Sequence, residues 1–410
     1  MIVIYNLGIW VYVGLIKLVA FANPKAKQWV KGRRNIFQNI QNTVHTEAPI
    51  AWFHVSSLGE FEQGRPVMEA FKAKYPAYKI LLTFFSPSGY EIRKNYADAD
   101  YIFYLPADTP RNARRFIQIV NPTVAFFVKY EFWFHYLNQL NKKGVPTYIF
   151  SAIFRSDQLF FKWYGKWYRN MLRFFSIIYV QDEASKTLLQ QIGIPHVVVG
   201  GDTRFDRVTE LAQKSKSFPL IEQFSAGQKV VVAGSTWESD EELIARYLIH
   251  QPTVKWIVAP HEIHSSHLQK IKNLFQQKAL FFSEANEQSI QHCQVLVIDS
   301  IGMLSSIYKY GGVAYIGGGF GKGIHNTLEA ATYGIPVVFG PNYQRFKEAV
   351  DLIHQGAGFS IHDEQSFNQT VDSLWMDDLL REKAGRASRL YVDSMQGGTQ
   401  KILSDINKIL

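Results

Sequence analysis

The run from Ala314 to Ala349, AYIGGGFGKGIHNTLEAATYGIPVVFGPNYQRFKEA, leaves few folds open. An apolar strand run, Val313 to Ile316, breaks into Gly317, Gly318, Gly319, Gly321 and Gly323. A helix is expected from about Asn326 to Tyr333. A second apolar run, Ile335 to Phe339, ends at Gly340-Pro341. Strand, glycine turn, helix, strand is the plan of a unit that binds a phosphorylated ligand. Glycines let the backbone approach closely, and the N–H groups of a helix start face an anion. A P-loop needs Ser or Thr after Gly-Lys, and here Gly323 follows Lys322; the dinucleotide spacing G-x-G-x-x-G cannot be laid on these glycines either. The helix start carries His325 and Asn326, with Glu329 one turn on. A tight turn with a solvated helix face is the plain structural reading of the same residues.

The rest of the chain alternates strand and helix patterns, as a parallel α/β sheet requires. Residues 50–57, IAWFHVSS, read as a buried strand, and LGEFEQGRPVMEAFKAKY as the helix after it. Strand runs follow at Lys79–Phe84, Ile102–Tyr104, Val124–Val128, Thr147–Ser151 and Ile177–Val180. Near residues 197–208, VVVGGDTRFDRV, one series ends. A second starts with Lys229–Ala233, Val254–Val258 and Val295–Ile298 and leads into the glycine stretch. At 410 residues the chain is long enough for two domains. Glu60 falls in the first turn of its helix, where an acid also complements the helix dipole. Glu131 follows the Val124 strand, where open α/β sheets place ligand groups.

Charge is unevenly distributed. Residues 1–205 hold 25 Lys/Arg against 13 Asp/Glu, and the remainder 19 against 22, which sums to the net +9. The first half is therefore expected to face something anionic. The first 22 residues are apolar apart from Asn6 and Lys17, a length that crosses a bilayer or lies in its interface. Lys25, Lys27, Lys31, Arg33 and Arg34 follow, so the positive-inside rule places the remainder on the cytoplasmic face. No basic leader or cleavage site marks a signal peptide. Leu159–Phe175 carries Lys162, Lys166, Arg169 and Arg173 at helical spacing beside aromatics. That pattern suits a membrane-surface helix better than nucleic acid. The lone Cys293 fits a reducing compartment. HEIHSSH, with His261, Glu262, His264 and His267, lacks the second histidine that a zincin helix needs four residues after the first.

Taken in order, HVSSLGE (54–60), GSTWESDEEL (234–243), DSIGML (299–304) and GGGFGKGIHNTLEAATYGIPVVFGPNYQRFKE (317–348) resemble the Kdo transferase family of lipopolysaccharide synthesis. The resemblance runs over essentially the whole chain. It implies a GT-B fold, α/β with two Rossmann-like domains facing a cleft behind an N-terminal membrane-associated helix. The segments are then 1–24, an anchor or interfacial helix; 25–203, the acceptor domain; 204–385, the donor domain; and 386–410, a last helix returning to the first domain. It further implies transfer of 3-deoxy-D-manno-octulosonic acid (Kdo) from CMP-Kdo to a lipid A precursor, lipid IVA, at the inner membrane, with inversion and without metal or cofactor. Nucleic acid is not expected as a partner. Glu60 falls on the general-base position, with Ser57 and Gly59 in the same motif; Glu131 and Arg155 complete the acceptor-side candidates. Donor-side candidates are Ser235, Thr236, His261, Gly302, Met303, Gly321, Lys322, His325, Asn326 and Glu329. Two departures stand out from the family's pattern: His261 replaces the usual arginine after Ala-Pro, and SAIFR (151–155) replaces an Asn-Ala-Arg segment. A GT-B enzyme or epimerase for another nucleotide sugar is the alternative.

Overall fold

The computed structural model describes residues 1–45 and 47–407. The chain divides into two compact units, Met1–Arg207 with Gln396–Leu410, and Val208–Met395. Each is built on one seven-stranded sheet in which every pairing is parallel.

The first sheet comprises β1 (Ile50–Val55), β2 (Lys79–Phe84), β3 (Tyr101–Tyr104), β4 (Val124–Val128), β5 (Thr147–Ala152), β6 (Ile177–Val180) and β7 (Val197–Val199), in the order β3-β2-β1-β4-β5-β6-β7. Its strands are apolar at consecutive positions because helices cover both faces. Trp52 of β1 packs on one side with Phe116 and Phe127, and Phe53 on the other with Phe71 and Phe126. Gly398–Ile406, the last described helix, adds Ile402, Leu403 and Ile406 to that second core. Asp206 fixes its entry by accepting the N–H groups of Gly397 and Thr399, each at 2.7 Å.

The second sheet comprises β8 (Val230–Thr236), β9 (Trp256–Pro260), β10 (Ala279–Phe281), β11 (Val295–Val297), β12 (Gly311–Ile316), β13 (Val337–Phe339) and β14 (Gly358–Ser360), in the order β10-β11-β9-β8-β12-β13-β14. In each sheet the strand order reverses beside its first strand, between β1 and β4 and between β8 and β12. The crevice at the carboxyl ends of such a reversal is where this architecture binds ligands.

Two expected helices differ. The helix after the glycine turn spans only Leu328–Ala331, because Gly334 turns left-handed (φ +70°) and Pro336 follows. Leu159–Phe175 is not one helix either. A short 3-10 turn, Leu159–Phe161, and the helix Lys166–Leu172 meet at Gly165, where a Cβ would lie 2.0 Å from the Leu159 carbonyl. Its basic residues therefore do not share one helical face.

The N-terminal helix, Ile2–Val19, has no buried residue, yet it is tied to the first unit along one edge. Tyr5 donates to Asp108 Oδ2 at 2.5 Å, and Asn6 Oδ1 meets His135 Nε2 at 2.6 Å. Tyr12 stacks on Phe85. Its other sides leave Val3, Leu7, Trp10 and Leu18 more than 60% exposed.

Candidate active site

At the first reversal, β1 carries His54 one residue before its end at Val55 and runs through Ser56 into the helix Leu58–Lys74, whose N-cap is Ser57. Glu60, three residues on, closes a capping box: its Oε2 accepts from the Ser57 N–H at 3.1 Å and from the Ser57 hydroxyl. The carboxylate is thus held half-buried at the carboxyl edge of the sheet. Gly59 beside it is exposed. Across the reversal, β4 is followed by Lys129 in the left-handed region (φ +67°), which aims Tyr130 and Glu131 out of the sheet. Burial raises the pKa of the Tyr130 phenol, the nearby Arg155 guanidinium opposes the shift, and Glu60 is close enough to raise it further. Glu60, Tyr130 and Arg155 therefore form one polar neighbourhood.

Glu131 itself is buried. Its Oε2 accepts from Trp133 Nε1 at 2.6 Å and pairs with His54 Nε2 at 3.0 Å, while His54 Nδ1 meets Thr83 Oγ1 at 2.9 Å. A Thr83–His54–Glu131–Trp133 chain thus runs under the edge.

At the second reversal, Ser235, the last residue but one of β8, is in a left-handed conformation (φ +54°), which a non-glycine residue adopts at a cost. Thr236 is buried and donates to Glu241 Oε1 at 2.9 Å; Glu241 Oε2 in turn pairs with His267. The glycine turn after β12 is packed backbone to backbone. A Cβ on Gly317 would lie 2.4 Å from the Ser235 carbonyl oxygen, and one on Gly319 would lie 2.5 Å from Gly340 Cα. Buried Asp240 clamps this turn, accepting the Gly318 and Trp237 N–H groups, each at 2.9 Å, and the Tyr315 hydroxyl at 2.6 Å.

Some amides of the turn are spent within the fold. The N–H groups of Gly317, Gly321, Gly323 and His325 go to the carbonyls of Gly234, Gly318, Gly318 and Gly317, and the helix beyond is one turn long. Side chains add polar groups beside it. Trp237, His261 and His325 form a stack, with His261 and His325 ring centroids 4.1 Å apart and Trp237 and His261 4.9 Å apart. Trp237 Nε1 lies 3.0 Å from His325 Nε2. Indole N–H only donates, so Nε2 accepts and the imidazole carries its proton on Nδ1. Burial, with His261 adjacent, pulls His325 down to about 4, so it is neutral at pH 7.

Two cavities flank the stack. One, of about 330 Å³, is lined by Ser235, His261, Gly302 and Ser300 among others; the second, of about 440 Å³, by Trp237, Gly321, Lys322 and His325. Met303 lies beside the first and contacts Ser300 through its sulfur. Asn326 and Glu329 line neither; Asn326 Nδ2 donates to Glu329 Oε1 at 2.9 Å.

Comparison with known proteins bears on what this pair of sites serves. Residues 30–207 match the family model described as 3-deoxy-D-manno-octulosonic-acid transferase (kdotransferase). A 3-deoxy-D-manno-octulosonic acid transferase of Haemophilus influenzae is 25% identical over 95% of this chain and 93% of its own length. One from Aquifex aeolicus is 26% identical over 76% of this chain and 82% of its own. The chain is similar to Kdo transferases along most of its length. It is a glycosyltransferase of GT-B fold. The UDP-GlcNAc 2-epimerase of Neisseria meningitidis bound to UDP-GlcNAc, 16% identical, shares that fold with a TM-score of 0.62 over 88% of this chain and all of its own.

Sequence reasoning passed over three residues of this transferase that the structure brings to the sites. His54 is a polar residue inside an apolar strand, next to the reversal. Trp237 stands between Thr236 and the acidic first turn of its helix. Asp240 sits among four acids that read as dipole compensation, and only the fold separates the one that holds the glycine turn.

Proposed function

We propose that this glycosyltransferase moves Kdo from CMP-Kdo to the phosphorylated lipid A precursor, with inversion and with Glu60 as general base. The observation that carries the reading is the likeness to the Haemophilus influenzae transferase along 95% of the chain. A sugar hydroxyl is a poor nucleophile near neutral pH, so a carboxylate must take its proton as the new bond forms. Glu60 is positioned for that by its capping box: Oε2 is held by Ser57, and Oε1 has no partner among the described residues. Arg155 and Tyr130 offer donors to the acceptor sugar, and the His54–Glu131 pair holds the floor. On the donor side the breaking bond leaves charge on the CMP phosphate. His325 Nδ1–H, Lys322 and His261 are the groups available to receive it. His261 does so as an imidazole where relatives of this kind use a guanidinium, and with no bidentate fork.

The N-terminal helix supports a place at the cytoplasmic face of the inner membrane. An apolar helix tied along one edge and bare elsewhere suits lying in the bilayer interface better than crossing it. Trp163, 90% exposed, adds a further apolar group of the same unit.

Transfer from CMP-Kdo to a lipid A precursor in detergent tests the reading, with wild type and Glu60→Gln side by side. Transfer by wild type and its loss in a folded variant support both donor and base. Full activity of the variant moves the base elsewhere, Glu131 being next in line. Turnover of a nucleotide sugar with no lipid acceptor would make the protein an epimerase instead.

A further inference from the structure

Between the N-terminal helix and the first unit lies a cavity of about 600 Å³ unconnected with the sites above. Its wall holds four cations, Lys17, Arg33, Arg34 and Arg115, and no acid. Among the described residues none of the four makes an ion pair. Arg33 is committed to structure: it donates to the carbonyls of Trp29, Phe85 and Leu105 at 3.2, 2.7 and 2.8 Å and lies over the Trp29 ring. Burial lowers its pKa to about 9, so it keeps its charge at pH 7. Arg115 rests on Phe37, and Lys17 and Arg34 are exposed.

Two further donors in the same wall lack acceptors. Trp29 is 5% exposed, and its Nε1–H has no partner among the described residues. A buried donor left unpaired costs about 1–3 kcal/mol unless a ligand supplies the acceptor. The helix Ile36–Thr43 starts at the cavity, and its N-cap residue, Asn35, is left-handed (φ +56°) and makes no capping bond. The first N–H groups of that helix are therefore open. The wall also holds Val13, Val30, Ile36 and Phe37, and Val13 belongs to the helix whose other sides are bare.

We propose that this cavity is a binding site for an anionic phospholipid of the bilayer, its phosphate held by Lys17, Arg34, Arg115 and the open donors, its chain lying along Val13 and Phe37. The occupant follows from charge and continuity. The wall offers cations to an anion and apolar side chains to a hydrocarbon, and Val13 and Lys17 belong to the helix that the preceding reading puts in lipid. A bound lipid would cement the helix to the unit and set the depth at which the first-unit site meets the membrane. The inference rests on that interfacial placement.

The test uses the full chain with vesicles of phosphatidylcholine alone and of phosphatidylcholine with phosphatidylglycerol, and a phosphatidylglycerol carrying a photoreactive diazirine near its glycerol. Labelling is expected in residues 13–17 and 33–38. The variant Lys17→Gln/Arg34→Gln/Arg115→Gln is expected to bind the anionic vesicles roughly hundredfold more weakly, about fivefold per charge, while binding neutral vesicles as wild type does. Should that variant fold poorly, Trp29→Phe removes the unpaired N–H without emptying the wall. It should keep its melting temperature and lose labelling. Unchanged anionic binding with labels confined to the outer face of residues 3–11 would overturn the site and leave the membrane placement standing. Displacement of the label by inorganic phosphate would make it a soluble-anion site, and labelling by the acceptor lipid alone would make it part of acceptor binding. Either result overturns the proposal. Binding to neither vesicle would remove the membrane placement itself.

Discussion

The two sheets carry their candidate sites at the same topological point, the strand-order reversal, and furnish those points with opposite chemistry. The first presents carboxylates, Glu60 at the rim and Glu131 beneath, with a histidine and an arginine to hold them. The second presents imidazoles and a lysine around a glycine turn whose clamping acid, Asp240, is buried and turned to the backbone. A reversal point fixes where a ligand goes and leaves its charge to the loops. Loops rich in acid suit removing a proton; loops of glycine, lysine and histidine suit receiving a phosphate.

The largest expected effect breaks the pair at its first member. Glu60→Gln should lower kcat about 10²–10⁴-fold with the donor KM little changed. Glutamine serves a capping box as glutamate does, so the melting temperature should hold. A matching loss of stability would return Glu60 to a purely structural role.

Gly319→Ala attacks the second member. Its Cβ would meet Gly340 backbone 2.5 Å away, with no flexible side chain to yield, at a cost of about 3 kcal/mol in denaturant titration. Unchanged stability would show that the turn is looser than described.

The ties under the N-terminal helix give a pH test confined to the first unit. Burial raises Asp108 from 3.8 to about 6, so the folded state holds an extra proton between those values and stability falls as pH rises through them. Burial lowers His135 from 6.5 to about 4, so the unfolded state holds the extra proton and stability rises with pH over that range. The two slopes oppose each other, and wild type should be nearly flat from pH 4 to 6.5. Asp108→Asn should expose the histidine slope, losing on the order of 2 kcal/mol on acidification. A flat profile in the variant would contradict the burial of His135.

His261→Ala should raise the donor KM about tenfold with a smaller effect on kcat, the reverse of the Glu60 pattern. His261→Arg should recover it if the position serves phosphate. The smallest effect is Tyr5→Phe, about 1 kcal/mol from one hydrogen bond to Asp108, read as faster proteolysis of the first 22 residues.

Much of this was legible in one dimension. Twelve of the fourteen described strands follow from apolar runs bounded by glycine and polar turns, because a strand covered on both faces must be apolar throughout. The edge strands β10 and β14 were not, since β10 lies between two short 3-10 turns and β14, Gly-Phe-Ser, has one large apolar residue. Glu60 and the glycine turn announce themselves by order and spacing within a family, and the capping box by Ser57 and Glu60 three residues apart. By itself the sequence determined the α/β class, the two series, the apolar leader and the residues at the two loops. Tertiary structure alone decided how those residues are used. Where the amides of the glycine turn go depends on Gly234 and Asp240, on other elements. Whether an acid caps, clamps or faces solvent depends on what packs over it. The Trp237–His261–His325 stack and the cavity joining Lys17 to Arg34 and Arg115 unite residues far apart in the chain, and no local pattern encodes a contact whose partners are fixed by the crossing of separate strands and helices.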